Sequence, residues 1–343
     1  MRRFASLFIL MHFVASPVWA EDHPARLRVF ASVLPVQTFI EAVGGERVET
    51  EVMVLPGQSP ATYDPSPKQV AALAGADLYV RVGVPFELAW MKRIQAANPD
   101  MPVLDLRDGL PLRLQEAHEH DHEHGQHVGH AHEATTDTPS TAPVPDEMDP
   151  HIWTSPLLVR EMAVAIRTAL SELDPEGAPL YARRQQDFDA ELLALHQDLQ
   201  RSLAGLDDRA FLVYHPAWGY FADTYDLEQI PIERAGKQPG PRRLSALIEQ
   251  AQTAGTRAIF VQPEFDQRIA EQVARSIGGR VEVATPLAAN YAENLQRFAA
   301  ILVDANSRSD STDSADSTES AHSVESAPSA PPANPAAPSA KAQ

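Results

Sequence analysis

The chain has 343 residues, a formal net charge of -19 at pH 7 and no cysteine. Without cysteine the protein forms no disulfides, has no thiolate metal ligands and lacks a cysteine nucleophile. The strong acidity argues against a nucleic-acid partner, because binding to phosphates requires a basic surface. A chain of this length is sufficient for two α/β domains of ordinary size.

The first twenty residues have the pattern of a secretory signal peptide. Arg2 and Arg3 form a short basic start, an apolar stretch extends from Phe4 to Val14, and a small-residue cleavage pattern ends at Ala20. The apolar stretch is too short to span a bilayer, which argues against a membrane anchor. We therefore predict that residues 1–20 are a cleaved signal peptide and that the protein is secreted to the periplasm.

Strands and helices alternate through the first half of the remaining chain. Apolar, β-rich runs at 27–33, 48–55, 77–82 and 102–106 are separated by helical patterns. One helix begins at Ser66, which is followed by Pro67 at the first helical position and by Gln69, placed to bond back to the cap. Strands with helical crossovers predict a parallel sheet. We assign residues 26–173 to an N-terminal α/β lobe.

A long uninterrupted helix is predicted between residues 174 and 204. Asp174 and Pro175 form a cap and first-turn pair, and neither Gly nor Pro occurs from Leu180 until Gly205. Apolar residues recur at helical spacing, which places them on one face: Tyr181, Phe188, Leu192, Leu195 and Leu199. The helix is interpreted as a rigid strut between two lobes, although an ordinary amphipathic helix is the alternative.

The second half repeats the alternation and predicts a C-terminal α/β lobe at 207–304. Strands are expected at 211–214, 227–232, 258–261 and 281–284, and the last helix at 292–303. The predicted fold class is therefore α/β, with two lobes that each contain a mainly parallel sheet flanked by helices.

Residues 306–343, dominated by Ser, Ala, Pro and Asp, predict a disordered tail.

A histidine-rich segment interrupts the N-terminal lobe between residues 116 and 148. Its seven histidines are interleaved with acidic residues: His118, His120, His122, His124, His127, His130 and His132. Neutral imidazoles suit zinc, copper and nickel, and the carboxylates attract cations. Few apolar residues are available to offset the entropy of ordering, so we expect a mobile accessory loop that binds several ions loosely. A low-complexity run without a role is the alternative.

Two further histidines occupy places where a specific site could form. His151 follows Asp149 and Pro150 just beyond the loop, and His215 follows the predicted strand 211–214. Ligands of open α/β sheets bind beyond the carboxyl ends of strands, which is where His215 lies. A structural role for each histidine, at the surface or in the core, is the alternative.

Five stretches of the sequence form a recognisable set of motifs: Leu55-Pro-Gly-Gln-Ser-Pro-Ala-Thr-Tyr63-Asp-Pro-Ser-Pro, Asp149-Pro-His151-Ile-Trp-Thr-Ser-Pro, His215-Pro-Ala-Trp-Gly-Tyr-Phe, Gly236-Lys237-Gln-Pro and the run from Ile259 to Asn294. Together they resemble the zinc and manganese substrate-binding proteins of ABC transporters. The resemblance extends in order from Leu27 to Val303, and an acidic histidine loop before Asp-Pro-His is a feature of the family's zinc members. It implies two lobes joined by one long helix, with a metal ion between them.

The resemblance implies that His151 and His215 are metal ligands. It also marks two departures from the family pattern. Ala61 stands where the family has its first histidine, in a Pro-His-x-Tyr setting, and Thr285 stands where the family has a carboxylate, in an Asp-Pro-Leu setting. Two of the four expected ligands are therefore absent from their usual positions.

Other donors are then required, and the substitute donors nearby in the sequence are Gln58, Asp64, Glu264 and Asp266. Glu264 is favoured because a carboxylate also neutralises the charge of the ion, although it could instead cap the helix that begins near Gln267. Gln58 is the weaker candidate, since a neutral amide oxygen is a poorer zinc donor than a carboxylate or an imidazole. Two histidines, a carboxylate and water would satisfy the tetrahedral preference of zinc.

The leading functional hypothesis is a periplasmic solute-binding protein, not an enzyme, that captures Zn2+. Mn2+ or another divalent transition metal is also compatible with the resemblance. The expected partner is the membrane permease of an ABC transporter, and the protein is expected to be a monomer. Metal buffering through the histidine-rich loop is one alternative. A zinc hydrolase is the other, but the sequence has no Gly-x-Ser-x-Gly pattern.

Overall fold

Two four-stranded parallel sheets organise residues 26–115, 148–234 and 236–313, which the computed structural model describes. The predicted signal peptide lies outside these described residues. So do residues 116–147 of the predicted histidine-rich loop and the part of the predicted tail beyond Asp313. No helix in the described ranges is both long and apolar enough to cross a membrane.

The N-terminal sheet has the strand order β2-β1-β3-β4, with every pair parallel. Its strands are β1 (Leu27–Ala31), β2 (Val48–Val52), β3 (Leu78–Arg81) and β4 (Val103–Asp105). The crossover helices are α1 (Leu34–Gly44), α2 (Pro67–Ala72) and α3 (Pro85–Ala97). The predicted cap of α2 is confirmed, because the Ser66 side chain accepts from Gln69 N and the Gln69 side chain bonds back to Ser66.

Two long helices follow the N-terminal sheet, α4 (Pro156–Leu173) and α5 (Ala178–Leu203). Helix α4 is absent from the sequence-based expectation, although Pro156 at its first position and buried residues at helical spacing form a helix pattern. Helix α5 is the predicted linking helix. Its predicted apolar face is confirmed, because Tyr181, Leu192, Leu195 and Leu199 are buried and Phe188 packs against the same core.

The C-terminal sheet has the order β6-β5-β7-β8 and is likewise parallel throughout. Its strands are β5 (Ala210–Val213), β6 (Glu228–Pro231), β7 (Ala258–Val261) and β8 (Arg280–Val283). The remaining helices are α6 (Gly219–Thr224), α7 (Pro241–Thr253), α8 (Arg268–Ile277) and α9 (Tyr291–Asp313). Helix α9 continues beyond Val303, where the apolar pattern of the sequence ends, to Asp313.

One hydrophobic core extends through both lobes. It contains Phe39 of α1, Leu192 of α5 and Phe298 of α9. The Phe39 ring contacts Tyr291 edge-on, with the ring centroids 5.0 Å apart, so helices from the two lobes pack directly on each other. The two-lobed α/β fold with one long connecting helix is as predicted, and the two lobes share this core.

The strand orders also define where a ligand can bind. In each sheet the second strand lies on one side of the first strand, and the third and fourth strands lie on its other side. The order in which strands are added therefore reverses between β1 and β3 and between β5 and β7. Crevices at the carboxyl ends of strands beside such a reversal are the usual binding sites of open α/β sheets.

Candidate metal centre

His151 and His215 meet between the two lobes. Their ring centroids are 5.3 Å apart and the ring planes are inclined by 73°. His215 lies just beyond the carboxyl end of β5, and His151 precedes the short 3-10 turn Ile152–Thr154 that leads into α4. The two histidines predicted from the sequence therefore come from different lobes and share one location.

Each histidine is held by a carboxylate through the same ring nitrogen. His151 Nδ1 lies 2.7 Å from Asp149 Oδ1, and His215 Nδ1 lies 2.5 Å from Glu233 Oε1. A carboxylate at Nδ1 holds the proton of a neutral ring there and leaves the lone pair on Nε2. Metal-binding histidines usually have this arrangement, in which one ring nitrogen donates to a carboxylate and the ring is thereby oriented so that the other nitrogen can bind the metal.

Burial lowers the pKa of His151, against the opposing effect of the neighbouring Asp149 carboxylate. Neutral imidazole is the form that binds metals, so a lowered pKa leaves this side chain ready to do so at neutral pH. The ring of His215 is fixed from another direction by Phe265, which stacks on it at a centroid distance of 5.3 Å. Contacts with other side chains thus orient both rings.

A cavity of about 50 Å³ adjoins the histidine pair. That volume accommodates an ion and roughly one or two waters, since a water occupies about 30 Å³ in the liquid. None of the described residues that line it is Lys or Arg: Ser59, Pro60, Ala61, Val84, Pro85, Gln115, Pro150, His151, His215, Gln262, Glu264, Phe265, Pro286 and Leu287. The polar part of this lining therefore suits a cation better than an anion.

Glu264 is a half-buried acidic residue in the lining of this cavity. Its Oε2 has no hydrogen-bonding partner among the described residues, and burial raises the pKa of the side chain. The alternative role as a helix cap is not supported, because Asp266 Oδ1 accepts from Arg268 N at the start of α8. A carboxylate oxygen that is buried without a partner is costly unless a cation or a proton satisfies it.

Of the other described positions considered in the sequence analysis, Ala61 lines the cavity with the two histidines, whereas Thr285 and Gln58 do not. Thr285 Oγ1 instead accepts from Leu287 N at 3.1 Å. Gln58, also described, is exposed on a turn and is not part of the lining. Within the described ranges, no three His, Asp or Glu side chains are grouped closely enough to hold an ion between them.

Three polar residues at this site were not identified as functional from the sequence. Asp149 is two residues from His151, a spacing that could have indicated an orienting carboxylate. Glu233 becomes visible only through the parallel register of β5 and β6, which aligns Val213 with Pro231. Gln262 follows β7 directly and lines the cavity, so its position at a strand end was the available signal.

The base of the predicted histidine-rich loop lies beside the same cavity. Leu114 forms an antiparallel bridge with Met148, so the two ends of this segment are adjacent. Gln115, the last described residue before it, lines the cavity with His151.

A two-lobed fold with one long connecting helix and a histidine pair between the lobes defines a solute-binding protein of the metal-binding class. The family model of ZnuA, the periplasmic zinc-uptake complex component A, matches residues 29–305. The chain belongs to this family.

Relatives and solved structures agree with this assignment. The high-affinity zinc uptake system protein ZnuA of Yersinia pestis is 27% identical over 77% of this chain and 84% of its own length. The zinc-binding lipoprotein AdcA of Streptococcus pneumoniae is 26% identical over 76% of this chain, which spans about half (50%) of AdcA. A crystal structure of ZnuA is 35% identical, with a TM-score of 0.72, and the match covers 82% of this chain and 99% of that one.

The family is one of solute-binding transport components rather than enzymes, so the hydrolase alternative is not supported. The homologues are periplasmic or lipoprotein zinc-binding components, and the chain is a metal-binding component of a transport system.

Proposed function

We propose that this protein captures Zn2+ in the cavity between its lobes and delivers it to the membrane permease of an ABC transporter. The observation that carries the proposal is the pair His151 and His215, each held at Nδ1 by a buried carboxylate. Two Nε2 atoms are then available to one ion, and Zn2+ accepts imidazole nitrogen readily.

Glu264 is the third ligand in this proposal. Glu264 lines the cavity, its Oε2 is buried without a partner among the described residues, and its carboxylate would neutralise part of the charge of the ion. With water in a fourth position, the two nitrogens and one oxygen would complete a tetrahedral set. Because no third carboxylate or imidazole is already close enough in the described residues, Glu264 must shift toward the histidines when the ion enters.

The histidine-rich segment serves as an accessory collector in this proposal. Its imidazoles and carboxylates would hold several ions weakly, and its base is beside the cavity at Gln115. Ions released from it would be concentrated near the tighter site.

The protein reaches the periplasm through a signal peptide cleaved after Ala20, and it acts there as a monomer.

Calorimetric titration with Zn2+ tests the site after deletion of residues 118–132, which removes the weak sites. One tight site should remain, and His151→Ala and His215→Ala should each weaken it at least tenfold, or about 1.4 kcal/mol. His196→Ala is the matched control, because His196 lies on α5 against Tyr225 and not in this cavity. A histidine variant in the cavity that binds Zn2+ as tightly as the parent would contradict the proposed site.

The same deletion distinguishes two functions, capture of zinc for transport and buffering of zinc by the histidine-rich segment. Loss of all tight binding on removal of residues 118–132 would favour buffering by that segment. Retention of the tight site, with poorer growth only when zinc is scarce, would support capture for transport. Delivery itself is tested by uptake of radioactive zinc in cells that carry the His215→Ala variant, which should fall to the level of cells without the protein.

A further inference from the structure

One buried oxygen in the cavity has no part in the proposal above. Gln262 is 4% exposed, and its Oε1 has no hydrogen-bonding partner among the described residues. The residue lines the same cavity as His151 and His215. An unpartnered amide oxygen raises the free energy of the metal-free protein, because burial separates it from water and the described part of the chain supplies no donor in return.

A tight turn directs this side chain. Gln262 follows β7, Pro263 takes the second position of the turn, and Phe265 N donates to Gln262 O at 3.1 Å to close it. The third position is Glu264, whose Oε2 is also buried and unpartnered. The fourth is Phe265, whose ring stacks on His215. Three residues of this turn line the cavity with the histidine pair, and they carry two unsatisfied oxygens and an aromatic ring.

We infer that Gln262 is itself a ligand of the ion, through Oε1, and takes the fourth position that water would otherwise occupy. This inference rests on the proposed function of the His151 and His215 site. The resulting set of two imidazole nitrogens, one carboxylate oxygen and one amide oxygen has the four positions that Zn2+ prefers. It also accounts for a site without a ligand at Ala61 or Thr285, because the turn after β7 supplies both oxygens.

A matched residue shows how a structural glutamine behaves in this fold. Gln229 of β6 is also buried, at 8% exposure, but its Oε1 accepts from Trp218 N at 2.7 Å. Removing that oxygen leaves a buried N–H without an acceptor, which destabilises the protein whether or not metal is present. Removing Oε1 of Gln262 leaves no donor of the described residues unsatisfied, so it should weaken the metal-bound state without destabilising the metal-free protein.

The experiment compares the full chain with the variants Gln262→Leu, Gln262→Glu and Gln229→Leu. Thermal unfolding is measured with chelator and with Zn2+, and the affinity of the tightest site is measured by competition with a chelating dye. Gln262→Leu should have an unchanged or higher Tm without metal, a smaller rise in Tm with Zn2+, and roughly tenfold weaker binding. Gln262→Glu should bind at least as tightly as the parent, and Gln229→Leu should have a lower Tm without metal.

A Gln262→Leu variant that unfolds earlier without metal and binds Zn2+ as tightly as the parent overturns the inference. Titration of His151→Ala and His215→Ala under the same conditions keeps the two proposals distinguishable. Unchanged binding in those variants means that the site itself is elsewhere. Weaker binding in both, with parental binding in Gln262→Leu, means that only the role of Gln262 is wrong.

Discussion

Glu233 Oε1 lies 2.5 Å from His215 Nδ1, and the register of the second sheet is what brings the two side chains together. β5 and β6 run parallel with Val213 opposite Pro231, so the residues two positions beyond each strand end lie side by side at the carboxyl edge. Glu233 is almost fully buried, with 3% of its surface exposed. A carboxylate in this position fixes the orientation of the ring and increases the basicity of Nε2.

The first prediction follows from this pair. Glu233→Gln should weaken the tightest Zn2+ site roughly 10- to 100-fold, because an amide neither polarises the imidazole as a carboxylate does nor fixes its tautomer. Calorimetric titration measures the loss. Glu249→Gln is the control with the same change of charge, since Glu249 is exposed on α7. Equal affinities of the Glu233 and Glu249 variants would mean that Glu233 does not act through His215.

The second prediction concerns Ala61. Ala61→His should tighten Zn2+ binding at least tenfold, because Ala61 lines the cavity and a third imidazole there would add a ligand without displacing a structural contact. Competition with a chelating dye is the suitable measurement for a site of increased affinity. Gln58→His places an imidazole on the same loop but outside the cavity lining, and its affinity should equal that of the parent. A gain shared by both variants would point to adventitious binding at the surface.

Much of the fold could be predicted because each element has a local signal. The alternation of β-rich runs with helical patterns identified the eight strands of the described residues, and Ser66 with Gln69 marked the start of α2. Helix α4 was missed even though its buried residues recur every three or four positions. The arrangement of two lobes joined by one helix could be predicted because the uninterrupted helical pattern of α5 is visible in the sequence of that segment alone.

The site was only partly predictable, because proximity in the fold differs from proximity in the sequence. His151 and His215 were found through motifs and a strand end. Glu233 acts through strand register, which a single sequence does not display. Gln58 was selected for its neighbours in a motif, yet the structure places it on an exposed turn away from the cavity lining, where Gln262 is found instead.

The third prediction is that the lobes move little when metal binds. They share one hydrophobic core, and Trp153 Nε1 donates across the lobes to Pro286 O at 2.9 Å. Thr38 Oγ1 makes a second such bond to Ala289 O at 2.9 Å. The radius of gyration from small-angle X-ray scattering should therefore be the same with chelator and with Zn2+. A decrease on addition of Zn2+ that is absent from His215→Ala would show hinge closure and contradict the prediction.

The last prediction concerns the anchor of the linking helix. Asp174 caps the turn before α5, and its carboxylate accepts from Arg47 Nε at 2.6 Å, from Arg47 Nη2 at 2.7 Å and from the Tyr181 hydroxyl at 2.6 Å. The hydrogen bond from Arg47, followed by that from Tyr181, lowers the pKa of Asp174 from 3.8 to about 2. A lowered pKa means that the ionised carboxylate stabilises the folded state. This stabilisation is complete above the unfolded pKa and is lost as the pH falls through the folded pKa.

Asp174→Asn should therefore lower the Tm at pH 7 by roughly 3–8 °C, the expected effect of losing a charge-assisted hydrogen bond in a chain of this size. The difference from the parent should shrink as the pH falls from about 4 to about 2, because the parent carboxylate becomes protonated over that interval. Circular dichroism melts at pH 7, 4, 3 and 2 measure both effects. Asp198→Asn is the control, since Asp198 and its partner Arg201 are 47% and 73% exposed and such a surface pair contributes little. A deficit in Asp174→Asn that stays constant from pH 7 to pH 2 would show that Asp174 acts through packing and not through its charge.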